Sequence, residues 1–202
     1  MLTKIKQRFQ KWVKFEARVA HNIGFTPNHV SVVGILFAML SGLAYLNWNT
    51  HQALMVLAPI LLLISGFCDA LDGAIARIYA EASIFGGFFD SLLDRYADGF
   101  VLCGIVLSGL CHPFWGLLAL MGSLLVSYAR ARAEVKGIGM ESIGLAERPE
   151  RLLLLVIMSF LNIVWSGALN LGVAVLAVLA NLTVLQRVVY FHRASKRREE
   201  SG

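Results

Sequence analysis

The sequence is poor in charge, in thiols and in proline. Only 15% of its 202 residues are charged and only four are proline. Soluble domains run at about a quarter charged and about 45–50% apolar residues, so an apolar share of 57% excludes an ordinary soluble fold. Cysteine is equally sparse. Cys68, Cys103 and Cys111 make no CxxC pair, which excludes a disulfide framework and a thiolate metal centre. Cys68 and Cys103 lie within apolar segments and read as small buried thiols. The amino terminus lacks the ordered basic region, short apolar core and small-residue cleavage site expected of a signal peptide. No internal repeat, low-complexity tract or soluble appendage is visible.

What the chain does have is long apolar runs. A bilayer-spanning helix needs about 20 mostly apolar residues, and six such segments fit, at 29–48, 53–76, 86–110, 114–133, 151–165 and 168–191. The expected class is therefore an all-α, polytopic membrane protein: six transmembrane helices in residues 25–192. An amphipathic interfacial helix precedes them at 1–24, and a basic cytoplasmic tail follows at 193–202. In the first segment Leu2, Ile5, Phe9, Trp12, Val13, Phe15 and Val19 recur at roughly helical spacing, with Lys4, Lys6, Arg8, Lys11, Lys14 and Arg18 between them. That pattern suits a helix lying on an anionic leaflet. Gly24 breaks it, and Thr26-Pro27-Asn28 opens the first span with good initiation chemistry.

Charge placement orients the spans. The turns at 47–52, 108–113 and 165–168 contain no Asp, Glu, Lys or Arg, whereas the other ends of the spans are rich in Lys and Arg. The positive-inside rule then puts both termini on the cytoplasmic side of the cell membrane, and Trp48, Trp115 and Trp165 mark the opposite interface.

One stretch concentrates the chemistry. Between Phe67 and Arg95 the chain carries Asp69, Asp72, Asp90 and Asp94. The first two are spaced i,i+3 and the second two i,i+4, so each pair shares one face of its helix. A short polar turn, 79–83, joins the two segments, and they are expected to pack as an antiparallel pair with four converging carboxylates. Such a cluster beside lipid needs cations. Oxygen ligands in that number suit magnesium or manganese. Gly73, Ala76, Gly86 and Gly87 keep the faces slim, and Arg77 adds a guanidinium suited to phosphate.

In full, these residues read D-x2-D-G-x2-A-R-x8-G-x3-D-x3-D without departure, from Asp69 through Gly73, Ala76, Arg77, Gly86 and Asp90 to Asp94. The pattern resembles the CDP-alcohol phosphotransferase family of membrane enzymes. The resemblance implies a CDP-linked lipid as donor, an alcohol as acceptor and CMP as product. It implies that Asp69, Asp72, Asp90 and Asp94 hold two Mg2+ ions, with Mn2+ as a substitute, and that Asp94 doubles as the catalytic base. Gly73 and Arg77 match positions contacting the CDP group, and Ser83 matches a small hydroxyl residue near the nucleotide. Asn28, His29, Val30 and Ser31 fall where the family has a donor-binding segment; plain helix capping is the competing explanation for these four. Members are typically homodimers.

The acceptor is addressed by SYARARAE at 127–134, AERPERL at 146–152 and Arg187. Arg130 and Arg132 are i,i+2 and diverge on a regular helix; they serve either as headgroup anchors or, with Arg187, as a grip on a phosphate. SYxxARAE followed by ERPER resembles phosphatidylinositol-phosphate synthases and their archaeal archaetidylinositol-phosphate counterparts. That likeness makes Arg130, Arg132 and Arg187 the acceptor-phosphate residues and inositol 1-phosphate the acceptor. Arg130 stands where lysine also occurs. Glycerol 3-phosphate as acceptor, CDP-inositol as donor, and an ion transporter lined by the same acids are the alternatives. Two roles are open to Asp98, support of the carboxylate stripe or neutralisation of Arg95. Glu147, Arg148, Glu150 and Arg151 either brace the mouth as ion pairs or touch substrate phosphates.

Overall fold

The computed structural model describes the backbone of residues 2–141 and 143–201, and the side chains of 12–141 and 143–200. Its described elements are seven helices: α1 (Leu2–Asn22), α2 (Pro27–Leu46), α3 (Ala53–Ile78), α4 (Ile84–Leu107), α5 (Pro113–Val135), α6 (Arg148–Val164) and α7 (Ala168–Ser201). Four of them, α2, α3, α5 and α7, are long and apolar enough to cross a membrane. The other two candidates differ for local reasons. Asp90, Asp94, Arg95 and Asp98 all lie on α4, and α6 has only 17 residues.

The helix starts follow from their sequences. Thr26 caps α2 through its hydroxyl, which accepts from the His29 amide at 3.3 Å, and Pro27 presets the first turn. Ser83 does the same for α4, accepting from the Gly86 amide at 2.9 Å. Glu147, in extended backbone, precedes α6, so Pro149 falls in its first turn and the helix starts at Arg148 rather than at 151. At the other end, the basic stretch expected as a tail continues α7 unbroken to Ser201.

Packing departs from expectation at one important place. α3 and α4 do not pack directly on each other; each packs on α2. Small residues on α2 make this possible. A Cβ on Gly42 would lie 2.5 Å from the Phe100 carbonyl oxygen of α4, and one on Gly104 would run into the Gly42 backbone. Toward α3, a Cβ on Gly34 would lie 3.1 Å from Cys68 Cβ, and Ser41 donates to the Ala58 carbonyl at 2.8 Å. α2 thus sits between the two aspartate-bearing helices and leaves a cleft between them. Elsewhere α5 packs on α7 and α4, and α6 on α3 and α7.

α1 packs on α3 through Val13 and Ala17, both buried, while Trp12, Phe15 and Val19 stay exposed on the face expected to meet lipid. The side chains of Leu2, Lys4, Ile5, Lys6, Arg8, Phe9 and Lys11 lie outside the described residues. Cys68 and Cys111 are buried, but Cys103 is exposed. It points away from the helix contacts of α4.

Candidate active site and metal centre

Asp69 and Asp72 occupy the last turns of α3, and Asp90 and Asp94 the early turns of α4. The cleft left by α2 is where they meet. Carboxylate oxygens of Asp69, Asp72 and Asp90 lie within 4.8 Å of one another. Asp94 faces the same cavity. Asp72 is 5% exposed and accepts a 2.6 Å hydrogen bond from the Ser31 hydroxyl, which orients it from α2. The donor set is all oxygen and close enough to share an ion, so these residues fit a hard divalent cation.

Arg148 already meets part of the charge. Its Nη1 is 2.9 Å from Asp69 Oδ1 and 2.8 Å from Asp94 Oδ1, so one nitrogen bridges the two aspartate-bearing helices. Asp94 is also reached by Arg95 Nη2 at 3.1 Å. Asp98 pairs with Arg151 Nη2 at 3.2 Å and with Arg148 Nε at 3.5 Å. Asp98 therefore supports the arginines of α6, and Arg95 turns to Asp94. Of the charges at 147–151, Arg148 and Arg151 form ion pairs with the aspartates of α3 and α4. Arg151 is 5% exposed, and its Nε and Nη1 have no hydrogen-bond partner.

The donor-side residues divide. Ser83 and Asn28 converge on Gly86: a Cβ there would lie 2.9 Å from Ser83 Oγ and 3.2 Å from Asn28 Oδ1. Arg77 folds back over Gly73, where a Cβ would lie 3.2 Å from its Nη1. Ser31 is taken up with Asp72. His29 closes the capping box with Thr26. Val30 is buried in the apolar cluster with Val13, Cys68 and Ile75, so its side chain faces away from the cleft.

Two cavities meet at the carboxylates. A polar one of about 510 Å³ runs from Asp90 and Asp94 past Gly87 to Arg130, Arg151 and Arg187. An apolar one of about 690 Å³ is walled by Trp12, Leu63, Phe67, Leu152 and Leu153, with Asp69 and Arg148 at its polar end. Of the three arginines expected to hold the acceptor, Arg130 and Arg187 line the polar cavity. Arg132 is exposed and does not. Arg130 Nε donates to Glu134 at 2.7 Å. Arg187 donates to the carbonyls of Ile143 and Val126, which fixes its guanidinium at the cavity wall. Arg148 is the residue whose place the sequence left open. Its one signal was Pro149, which makes the preceding residue a helix start.

Fold and site together define a multi-pass membrane protein whose carboxylate centre opens to a polar cavity on one side and an apolar one on the other. The chain belongs to the CDP-alcohol phosphatidyltransferase family, which matches residues 25–186. It is 39% identical over 199 residues to the archaetidylinositol phosphate synthase of Pyrococcus horikoshii, covering 98% of this chain and 99% of that one. It also resembles the crystal structure of Mycobacterium tuberculosis phosphatidylinositol phosphate synthase with CDP-DAG bound, at a TM-score of 0.76 and 28% identity over 89% of this chain and 92% of that one. The same enzyme in complex with manganese and citrate matches at a TM-score of 0.77 and 28% identity, over 89% and 88% of the two chains.

Proposed function

We propose that this enzyme transfers the lipid-phosphate group of a CDP-linked lipid to inositol 1-phosphate, releasing CMP. The Pyrococcus relative's name favours the archaetidyl form of the donor. The observation that carries this assignment is the position of the carboxylates, between an apolar cavity suited to lipid tails and an arginine-lined cavity suited to a phosphorylated alcohol. A serine or choline acceptor would leave those arginines without an anion.

The residues then have distinct tasks. Asp69, Asp72, Asp90 and Asp94 would hold two Mg2+ ions, with Mn2+ as a substitute. Bound there, the metal would neutralise the donor pyrophosphate and the charge developing on the leaving CMP. Asn28, Ser83, Gly73 and Arg77 border the nucleotide. The slim Gly73 lets Arg77 lie close to the helix, with its guanidinium toward the phosphates. Ser31 holds Asp72 in place, and His29 shapes the start of α2. Asp94 takes the proton from the attacking inositol hydroxyl. That oxygen bonds to the lipid-linked phosphorus as the bond to the CMP oxygen breaks. Arg130, Arg151 and Arg187 hold the acceptor phosphate; Arg151 has donors to spare for it. Arg132 anchors in the headgroup region instead.

In this reading α4 and α6 cross alongside the four long apolar helices, giving six spans, with both termini and the site at the cytoplasmic face of the cell membrane. The charge-free turns between α2 and α3, α4 and α5, and α6 and α7 support that orientation. A homodimer is the expected assembly.

Purified protein in detergent with magnesium, CDP-lipid and a panel of alcohols provides the test. CMP release with inositol 1-phosphate, but not with serine or choline, is expected. A preference for glycerol 3-phosphate would reassign the acceptor, and release from CDP-inositol would reassign the donor.

A further inference from the structure

The loop joining the two aspartate helices, 79–83, is short and has little to hold it. The Tyr79 amide bonds to the Ile75 carbonyl and the Glu81 amide to the Ala76 carbonyl, at 3.0 and 3.1 Å, and at the far end the Ser83 carbonyl accepts from the Gly87 amide at 3.0 Å as Ser83 caps α4. Ala80 sits at φ 54°, in the left-handed region that costs a non-glycine residue energy. Yet this loop follows Arg77 and ends in Ser83, two of the four residues assigned to the donor nucleotide.

Contacts from another helix reach it. His21, in the last turn of α1, stacks on Tyr79 with ring centroids 3.5 Å apart and planes 5° from parallel. Its Nε2 lies 2.9 Å from Glu81 Oε1. A carboxylate only accepts, so Nε2 carries the hydrogen. One imidazole thus engages both sides of the strained residue, Tyr79 before it and Glu81 after it. α1 is itself fixed on α3 by buried Val13 and Ala17, which pack with Cys68, Ala74 and Ile75 beside the aspartate turns. His21 and Glu81 are 31% and 36% exposed. Pairs so open to solvent contribute little to global stability, and the three residues touch no metal ligand.

We propose that His21, Tyr79 and Glu81 form a clamp by which α1 holds the 79–83 loop, and so positions Arg77 and Ser83 for the donor nucleotide. They are positioning residues, and the clamp rests on the donor assignment made above. Its chemistry needs a flat ring at 79 and an acceptor at 81, not a phenol or a charge.

Two measurements on His21→Ala, Tyr79→Ala and Glu81→Ala test it, with Tyr79→Phe and Glu81→Gln as conservative partners. The first is amide hydrogen exchange of 79–83 without substrate, expected to quicken in the three alanine variants and stay at the wild-type rate in the two partners. The second is steady-state kinetics. A lost stack or hydrogen bond should raise KM for the CDP-lipid about fivefold, with KM for the acceptor unchanged and the conservative variants near wild type. Unchanged exchange in the alanine variants would overturn the clamp. So would an equal loss against both substrates, or a failure of Tyr79→Phe and Glu81→Gln to preserve the donor KM. Should wild-type protein release no CMP from any CDP-lipid, the donor assignment would fall, and the exchange measurement would still decide whether α1 holds the loop.

Discussion

Replacing Arg148 with methionine removes a charge while keeping most of the side chain's length. Arg148 is 14% exposed on its side chain and stands against Asp69 and Asp94 at 2.9 and 2.8 Å. Removing one partner of a buried ion pair costs about 3–5 kcal/mol, because the other charge is left buried and alone. The lower figure applies here, since Asp69 retains 33% side-chain exposure and Asp94 keeps Arg95. For a chain of this size about 3 kcal/mol corresponds to a Tm lower by roughly 6–12 °C. That deficit is expected in the presence of a chelator. Magnesium at about a hundred times its Kd contributes ~2.7 kcal/mol to the state that binds it, and in the variant the Arg148 guanidinium no longer competes for Asp69 and Asp94. Thermal unfolding in detergent, followed with chelator and with magnesium, should therefore show a large deficit in the first condition that narrows in the second. A deficit of the same size in both would mean that Arg148 braces the helices by packing, and the shared-charge account would be wrong.

Asp94→Asn keeps the shape of the side chain and loses the base; CMP release should fall by about 10²–10⁴, while magnesium still raises Tm through Asp69, Asp72 and Asp90. Retention of the wild-type rate would remove Asp94 from proton transfer. Arg130→Ala should raise KM for inositol 1-phosphate about tenfold, the scale of one charge-assisted contact, and Arg132→Ala should leave it unchanged. Equal effects from the two would show that neither faces the acceptor.

Much of this was legible from residue types and spacing alone. The aspartate pairs had to share helix faces, the 79–83 turn had to join them, and Thr26-Pro27 had to start a helix. Each follows from chemistry within a few residues of sequence, and each is seen. Which helix neighbours which is a different matter. Gly34 and Gly42 announce close approach on α2 but not the identity of what approaches, so spacing alone points to a direct contact of α3 with α4 where the fold has a cleft. Arg148 was hidden for a similar reason. A charged residue before proline at a helix start is most often solvated, and only the fold brings α6 to the carboxylates. Arg132 and Val30 show the reverse, because neighbours on a helix point in different directions: Arg132, two residues from Arg130, is exposed outside the polar cavity, and Val30 belongs to the core beneath Ser31.

A last consequence concerns α2, which contributes no carboxylate. The span of the metal centre is gauged by this spacer, because α3 and α4 each rest on it and not on one another. A single methyl at Gly104, some ten residues from the nearest ligand, would wedge α4 outward and widen the jaw between Asp72 and Asp90. Cation affinity in this protein should thus answer to a residue that never touches the cation.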